Sequence, residues 1–547
     1  MTKNSTMTPP ADESINTVVR SAAAEALTAS LITIESTIIG GYAKIALIGN
    51  TTEICRDGKE RAIAALEATD IILPPKKIIV SLTPAEVKKD GSHLDLPMAV
   101  SLALLANEQV SRQNLSRWIF AAELGLNGKL RPVKGIISFA LEAMAHNLDG
   151  LVVAQENLKE INALSSAFKT AGKPIKAIGF NTLRDVLNWI YKGQESAIIS
   201  PLPIKAQNSE THTKNFDDML LTPGQIRAVQ TVAVGMHSML LRGPPGTGKS
   251  MLAQRIPSVM PCMQAQEHIE SMRIHSSINN NLAPSLLTGI PPFRSPHHQA
   301  SANAILGTAE RPGELSMAHG GVLFLDEFPE FRRDLLESLR EPLETGEIRV
   351  SRANRKVTWR GQVLLIAACN NCPCGWDGSR LKHCTCDTSR IFAYQNKMSG
   401  PILDRIDLHI NMPERTSSGG EMLLQLTSHE QNDTTAILRR KIMQARQFQI
   451  ARNHQFGISF NRDLQAKDII TASGLPAAEF AKMIDSHLPK GLGNRTMLRS
   501  LRVARTLADI DLSEKIREAD IKQAQFWQKD QAALDRGQEV STHTAVM

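Results

Sequence analysis

Short apolar runs alternate with a helical stretch in the first third of the chain. Runs rich in β-branched residues, typical of strands, lie at residues 31–35, 43–48, 77–82 and 151–153. Between two of them, residues 56–68 carry apolar positions at the spacing of a helix. This alternation predicts one mixed α/β domain, which we place at residues 15–191.

Three further apolar runs lie in the middle of the chain, at residues 238–242, 322–325 and 363–369. Continuous apolar runs of this length are typical of strands buried on both faces of a parallel sheet. They predict a second α/β domain at 216–415, and helical spacing of apolar residues predicts a helical lid at 416–530. We expect this lid to expose a solvated basic face made by Arg439, Arg440, Lys441, Arg446 and Arg452.

Polar segments lie between and beyond these domains. Residues 1–14 are polar and contain proline, which predicts a disordered tail. Residues 192–215 lose apolar periodicity and gain Pro, Ser, Thr and Asn, as linkers do. Residues 531–547 are predicted to be a frayed tail.

A glycine-rich loop follows the first of the three middle strands and precedes a helix-forming run. Its glycines allow a tight turn that points backbone N–H groups at phosphate oxygens near a helix N-terminus. The pattern predicts that Lys249 binds the β- and γ-phosphates of ATP and that the Ser250 hydroxyl binds Mg²⁺. The phosphate loop comprises Gly243, Pro244, Pro245, Gly246, Thr247, Gly248, Lys249 and Ser250.

The other two middle strands end in residues suited to the chemistry of a nucleotide. Asp326 and Glu327 follow one strand, so Asp326 is expected to hold Mg²⁺ through water and Glu327 to polarise the attacking water. Asn370 follows the other strand, where an asparagine can orient water or simply cap a turn. The two histidines His297 and His298 lie in a loop without a third metal ligand nearby, which favours a packing role.

Five of the seven cysteines lie between Cys369 and Cys386. Clustering of this kind in an intracellular ATP-binding protein favours a metal over disulfides. Two Cys-x-Cys pairs suit tetrahedral zinc in a structural site, with Cys369 and His383 as nearby substitute ligands and unmetallated thiols as the alternative. The predicted ligands are Cys372, Cys374, Cys384 and Cys386.

Net charge and one cation-rich segment favour a polyanionic partner. The formal net charge is +7 and the sequence pI about 9.0, which favours such a partner only weakly. Two segments of alternating polar and apolar residues flank residues 353–354 and predict a β-hairpin. This hairpin either tracks a phosphate backbone or is a solvated basic surface. Its candidate DNA-binding cations are Arg349, Arg352, Arg355 and Lys356.

The N-terminal domain resembles the Lon-protease-like fold at residues 87–97 and 128–135. The position of the protease serine holds His93, and the paired lysine would fall near Ile137. Ser92 and Lys134 lie close to these positions in sequence, so a shift of register would restore a dyad. We predict a domain without proteolytic activity, because a nucleophile needs a base within hydrogen-bond reach.

Segments 292–298, 311–316, 321–327, 372–375 and 399–407 closely resemble the YifB/ComM family of magnesium-chelatase-like AAA+ proteins. The resemblance covers about residues 15–527. It implies a P-loop AAA+ core with a Lon-protease-like domain before it and a helical lid after it. It also implies a hexameric ATP-driven DNA translocase or helicase, expected to act in branch migration during recombination or natural transformation.

The same resemblance implies roles for further residues. Asn370 would orient the lytic water, and Arg405 would reach a neighbouring subunit's site, although Arg405 could instead be merely salt-bridged. Arg495 would contact the γ-phosphate, with Arg499 one turn later as the alternative. Another possible function is a chelatase-like or chaperone-like remodelling ATPase that does not act on DNA. No secretory signal or membrane span is apparent, so we expect a cytoplasmic protein.

Overall fold

The computed structural model describes residues 17–107, 114–168, 175–193, 198–199, 214–352, 355–414, 434–489 and 491–534. The chain forms two compact units. Unit 1 comprises Met1–Gln207 with Met272–Thr288, and unit 2 comprises Asn208–Ser271 with Gly289–Met547. The predicted tail at 1–14, most of the predicted linker at 192–215 and most of the tail at 531–547 lie outside the described residues.

Unit 1 is built on a mixed sheet. Across the described residues its strand order is β10-β9-β8-β5-β1-β2-β4-β3. The strands are β1 (Thr17–Glu25), β2 (Thr28–Ile39), β3 (Lys44–Ile48), β4 (Lys77–Thr83), β5 (Trp118–Ala121), β6 (Glu123–Leu124), β7 (Leu130–Arg131), β8 (Gly150–Ala154), β9 (Lys176–Phe180) and β10 (Ile198–Ile199). The helices are α1 (Glu53–Glu67), α2 (Asp95–Ala106), α3 (Ile136–Ala145), α4 (Leu158–Phe168) and α5 (Leu183–Lys192). The predicted mixed α/β domain is therefore confirmed.

The segment of unit 1 that resembles a protease loop is packed into the core. The His93 ring is buried, with its centroid 5.0 Å from that of Phe139. Burial lowers the pKa of His93 to about 4, so the ring is neutral near pH 7. Among the described residues, no hydrogen bond joins Ser92 to Lys134. These contacts favour a packing role for this loop.

Unit 2 is built on a parallel sheet whose strand order in the described residues is β12-β13-β16-β11-β17. Its strands are β11 (Met239–Arg242), β12 (Phe293–Arg294), β13 (Val322–Leu325), β16 (Leu364–Cys369) and β17 (Leu408–Asn411). A separate antiparallel hairpin consists of β14 (Glu347–Arg352) and β15 (Arg355–Arg360). The three predicted buried strands are confirmed as the neighbours β13, β16 and β11.

The remaining helices follow along the chain and include those of the C-terminal region. They are α6 (Pro223–Gly235), α7 (Lys249–Arg255), α8 (Ala265–Ser276), α9 (Pro284–Leu287), α10 (Ala302–Leu306), α11 (Glu314–Met317), α12 (Arg333–Ser338), α13 (Arg340–Thr345), α14 (Thr388–Gln395), α15 (Gly400–Leu403), α16 (Thr434–Asn453), α17 (Ala466–Ala472), α18 (Ala477–His487), α19 (Asn494–Ile510) and α20 (Glu518–Leu534). Helix α9 and the end of α8 belong to unit 1. No helix in the described parts of the chain is long and apolar enough to cross a membrane.

The predicted helical C-terminal region is confirmed, but its predicted solvated basic face is wrong in part. Arg446 on α16 is buried, and its guanidinium lies 3.7 Å from the centroid of the Phe460 ring. Arg452 pairs with Asp509, which is itself buried on α19. Arg452 thus joins α16 to α19, and Arg446 packs α16 against Phe460 in the segment that follows, because a buried guanidinium needs a carboxylate, a carbonyl or an aromatic face as partner.

Candidate nucleotide site and cysteine loop

The phosphate loop leaves the C-terminal end of β11 and enters α7 at Lys249. Gly248 has φ +84°, a left-handed conformation that glycine adopts without strain. At Gly243 an added Cβ would lie 2.4 Å from the Met412 carbonyl oxygen, so that position has room only for glycine. The loop backbone is therefore fixed where the helix N-terminus can receive phosphate.

Lys249 is the central cation of this site. Its Nζ donates to the carbonyl oxygens of Gly243 at 2.7 Å and Pro244 at 2.8 Å, and to Asn370 Oδ1 at 3.0 Å. Burial lowers the pKa of Lys249, although Cys369 and Asp326 oppose that shift. The contact with Asn370 brings together two predicted site residues that are 121 positions apart.

Ser250 and Asp326 form a candidate Mg²⁺ site. The Ser250 hydroxyl donates to Asp326 Oδ2 at 2.6 Å, and Asp326 Oδ1 accepts the Glu327 N–H at 2.9 Å. A hydroxyl and a carboxylate are the hard oxygen ligands that Mg²⁺ takes beside nucleotide phosphates. The residues therefore fit the predicted ion.

Glu327 has φ +52°, a conformation that costs a residue with a Cβ roughly 1 to 2 kcal/mol. Its Oε2 lies 2.9 Å from His298 Nδ1. This role of His298 was not predicted, because the two histidines lack a third metal ligand nearby in the sequence and this favoured a packing role. The two histidines follow β12, whose C-terminal end adjoins that of β13 in the parallel sheet, but a strand of two residues leaves no hydrophobic pattern in the sequence.

Two other predicted site residues form a separate group. Arg405 donates to the carbonyl oxygens of Arg340 at 2.9 Å and Pro401 at 2.6 Å, and to Glu344 Oε2 at 2.8 Å. Arg495 Nη2 lies 3.2 Å from Glu344 Oε1. In the described residues, no hydrogen bond or ion pair links either arginine to the phosphate loop.

Glu344 and the two arginines line a cavity of about 1060 Å³. Arg499, the sequence alternative to Arg495, also lines it but is buried and donates to the Ile406 carbonyl oxygen at 3.1 Å. The Arg495 side chain is 49% exposed, so it can reach an anion outside the unit more readily than Arg499.

The four predicted cysteine ligands converge in one cluster. Their sulfur atoms all lie within 4.8 Å of one another, with Sγ–Sγ distances of 3.3, 3.5 and 3.7 Å among Cys372, Cys374 and Cys384. Four sulfurs around zinc at about 2.3 Å would be about 3.8 Å apart, close to these values. Backbone N–H groups of Trp376 and Thr385 lower the pKa of Cys374 to about 5, whereas burial raises the pKa of Cys372. The donor set fits zinc.

The predicted basic hairpin is confirmed as the pair β14–β15. Its apolar face contains Ile348, Val357 and Trp359, all buried. Arg349 and Lys356 lie on the exposed side, and Arg349 pairs with Glu347 at 3.2 Å. Arg352 and Arg355 are the last and first residues of the two strands, and their side chains lie outside the described residues.

Comparison with known proteins gives consistent matches along the chain. The family described as "Magnesium chelatase, subunit ChlI" matches residues 216–419. The families "Subunit ChlI of Mg-chelatase" and "Magnesium chelatase, subunit ChlI C-terminal" match residues 34–157 and 432–527.

Two full-length relatives extend this likeness over nearly the whole chain. The "Competence protein ComM" of Haemophilus influenzae is 35% identical over 514 residues, covering 93% of this chain and 96% of that protein. A protein named YifB from Salmonella typhimurium is 33% identical over 522 residues, covering 95% of this chain and 97% of that protein. The chain therefore belongs to the YifB/ComM family of magnesium-chelatase-like AAA+ proteins.

Proposed function

We propose that the protein is a cytoplasmic ATPase that assembles into a hexameric ring and translocates along or unwinds DNA. The task we propose is branch migration during recombination or natural transformation. The name of its relative ComM, a competence protein, supports this task. The observation that carries the DNA proposal is the exposed cationic side of the hairpin β14–β15, which directly precedes the strand that ends at Asn370.

Hydrolysis would divide between two neighbouring copies. In one copy Lys249 would bind the β- and γ-phosphates, while Ser250 and Asp326 would hold Mg²⁺, which neutralises charge on the phosphates. Glu327 would accept a proton from the attacking water, which Asn370 would orient. Within one copy, Arg405 and Arg495 both pair with Glu344 and lie apart from these residues. This separation supports the action of the two arginines on a neighbour's nucleotide.

The cysteine cluster would hold one structural zinc ion. All four candidate ligands are protein thiolates, so no position remains for the water that a catalytic zinc requires. Metal analysis of the purified protein should find about one zinc per chain. If the measurement found iron instead of zinc, the proposed identity of the metal would be wrong.

The test of the DNA proposal is ATP hydrolysis with and without DNA. Single-stranded and forked DNA should raise the rate, and the effect should fall as salt rises, because backbone contacts release counterions. The double variant Arg349→Ala/Lys356→Ala should lose most of this stimulation and keep the basal rate. Lys467→Ala/Lys482→Ala removes two other exposed charges from α17 and α18 and serves as the matched control.

A remodelling ATPase that does not act on DNA is the second candidate, favoured by the magnesium chelatase description of the matching families. It predicts no response to either form of DNA at any salt concentration. That result, from a protein that hydrolyses ATP, would exclude the DNA proposal and leave the ATPase proposal intact.

A further inference from the structure

The cysteine loop, residues 372–386, contacts the phosphate loop through a glycine. A methyl group on Gly375 would lie 2.7 Å from Pro245 Cγ and 2.8 Å from Pro245 Cδ, both closer than real contacts of this kind. Gly375 also has φ +86°, which a residue with a Cβ rarely adopts. The two loops are therefore packed together with no room for a side chain at position 375.

The same loop is anchored to the strand end that carries Asn370. Asn371 Nδ2 donates to the Asp377 carbonyl oxygen at 2.8 Å, and Gln395 Nε2 donates to the Asn371 carbonyl oxygen at 3.2 Å. Asn370 in turn accepts from Lys249 at 3.0 Å. A change in the shape of the loop can thus reach the phosphate site both through Gly375 and through Asn370.

Regular secondary structure does not hold this loop in place. Residues 372–386 contain no helix or strand, although all of them are described. Two features hold them: the four sulfur atoms within 4.8 Å of one another, and Glu414, which accepts hydrogen bonds from the Ser379 hydroxyl at 2.5 Å and the Arg380 N–H at 2.8 Å. Metal binding at such a site contributes directly to the folding free energy of the loop.

We propose that the cysteine loop is a metal-dependent brace of the phosphate loop, so that zinc at its four thiolates sets the affinity for ATP. This inference rests on the nucleotide and zinc sites proposed above and is independent of DNA. Metal loss would release Gly375 from Pro245 and loosen Asn370, and the phosphate loop would no longer be held in its binding conformation.

The first test removes the metal from the full-length protein. Zinc content is measured by elemental mass spectrometry, and affinity is measured with a fluorescent ATP analogue in excess Mg²⁺. Chelation, or the variant Cys384→Ser, should lower both the zinc content and the ATP affinity, the latter about tenfold or more. Added zinc should restore the chelated protein. Cys262→Ser removes an exposed cysteine outside the loop and should change neither quantity.

The second test keeps all four thiolates and alters only the contact. Gly375→Ala should retain zinc and lower ATP affinity about tenfold, because the methyl group forces the two loops apart. Gly378→Ala is the matched control: it also lies in the loop, at φ +74°, but the atom nearest its added Cβ is 3.8 Å away. This variant should bind zinc and ATP like the parent.

Three results would overturn the inference. They are a purified protein that holds no zinc, ATP affinity that is unchanged when zinc is removed, and equal affinities of the Gly375→Ala and Gly378→Ala variants. Each of them leaves the DNA-stimulated ATPase open to its own test, so the two proposals can fail separately. Circular dichroism of every sample checks that the rest of the chain stays folded.

Discussion

Removing the Arg405 guanidinium tests whether neighbouring copies share one active site. Two carbonyl oxygens and Glu344 accept its hydrogen bonds, and the Glu344 side chain is 52% exposed. Losing these contacts should cost the fold about 2 to 3 kcal/mol, because each of the two hydrogen bonds contributes about 1 kcal/mol and the half-exposed ion pair less. An arginine acting on the transferring phosphoryl group is worth about 10³- to 10⁵-fold in kcat, or about 4 to 7 kcal/mol.

We therefore expect Arg405→Ala to stay folded and to lose ATP turnover by about a thousandfold or more. Arg340→Ala, which removes the nearby guanidinium paired with Glu337 at 2.7 Å, is the control and should keep most of its turnover. Phosphate release measures turnover, and thermal unfolding measures stability. If Arg405→Ala kept about a tenth of the parent's turnover, the assigned catalytic role would be wrong.

Mixing two inactive variants separates action on a neighbour from action within one copy. Lys249→Ala lacks the phosphate-binding lysine but retains Arg405, whereas Arg405→Ala has the opposite defect. In rings assembled at random from equal amounts, about a quarter of the interfaces should combine an intact lysine with an intact arginine. Phosphate release should then recover to about a quarter of the parent rate. A rate no higher than the sum of the two variants would refute the shared site.

Three further substitutions test other parts of the structure. Glu327→Gln should bind ATP normally and lose about 10²- to 10⁴-fold in turnover, because an amide cannot accept the proton; nucleotide binding and phosphate release measure the two effects. His298→Ala should lower kcat about tenfold and leave ATP affinity unchanged, because it only loosens the Glu327 carboxylate; equal loss of affinity would contradict this role. In unit 1, burial raises the pKa of Glu160 from its ordinary value of 4.5 to about 7, so the folded state binds the proton more tightly than the unfolded state. The free energy of unfolding should then fall by roughly 3 kcal/mol as pH rises from 4.5 to about 7. Urea unfolding of the full chain at pH 5 and pH 8 measures this fall, and Glu160→Gln should remove it.

The nucleotide site was predictable because its residues follow long apolar runs. The strands β11, β13 and β16 were recognised from consecutive apolar residues, and the carboxyl ends of parallel strands meet at one edge of a sheet. This placed Lys249, Asp326 and Asn370 together without further information. His298 was missed because β12 has only two residues, too few for a hydrophobic pattern to reveal it.

The long-range partners of charged side chains were not predictable. Arg446 and Arg452 have the spacing of a solvated basic face, yet their partners Phe460 and Asp509 lie 14 and 57 positions away. A helical pattern shows which residues share a face, but not which other element covers that face. The sequence also could not show that Met272–Thr288 belongs to unit 1, because a helical pattern does not reveal which element a helix packs against.

Strand β16 connects the three features to which we assign function. The hairpin ends at Arg360, β16 begins at Leu364, Asn370 follows its last residue, and the cysteine loop begins two residues later. All six residues of β16 are buried, and the strand pairs with β13 on one side and β11 on the other. A central strand paired on both sides cannot slide without breaking its ladders, so it moves together with its neighbours. In the proposed motor, a displacement of Asn370 on ATP hydrolysis would therefore reach the hairpin through the sheet rather than through a flexible connection.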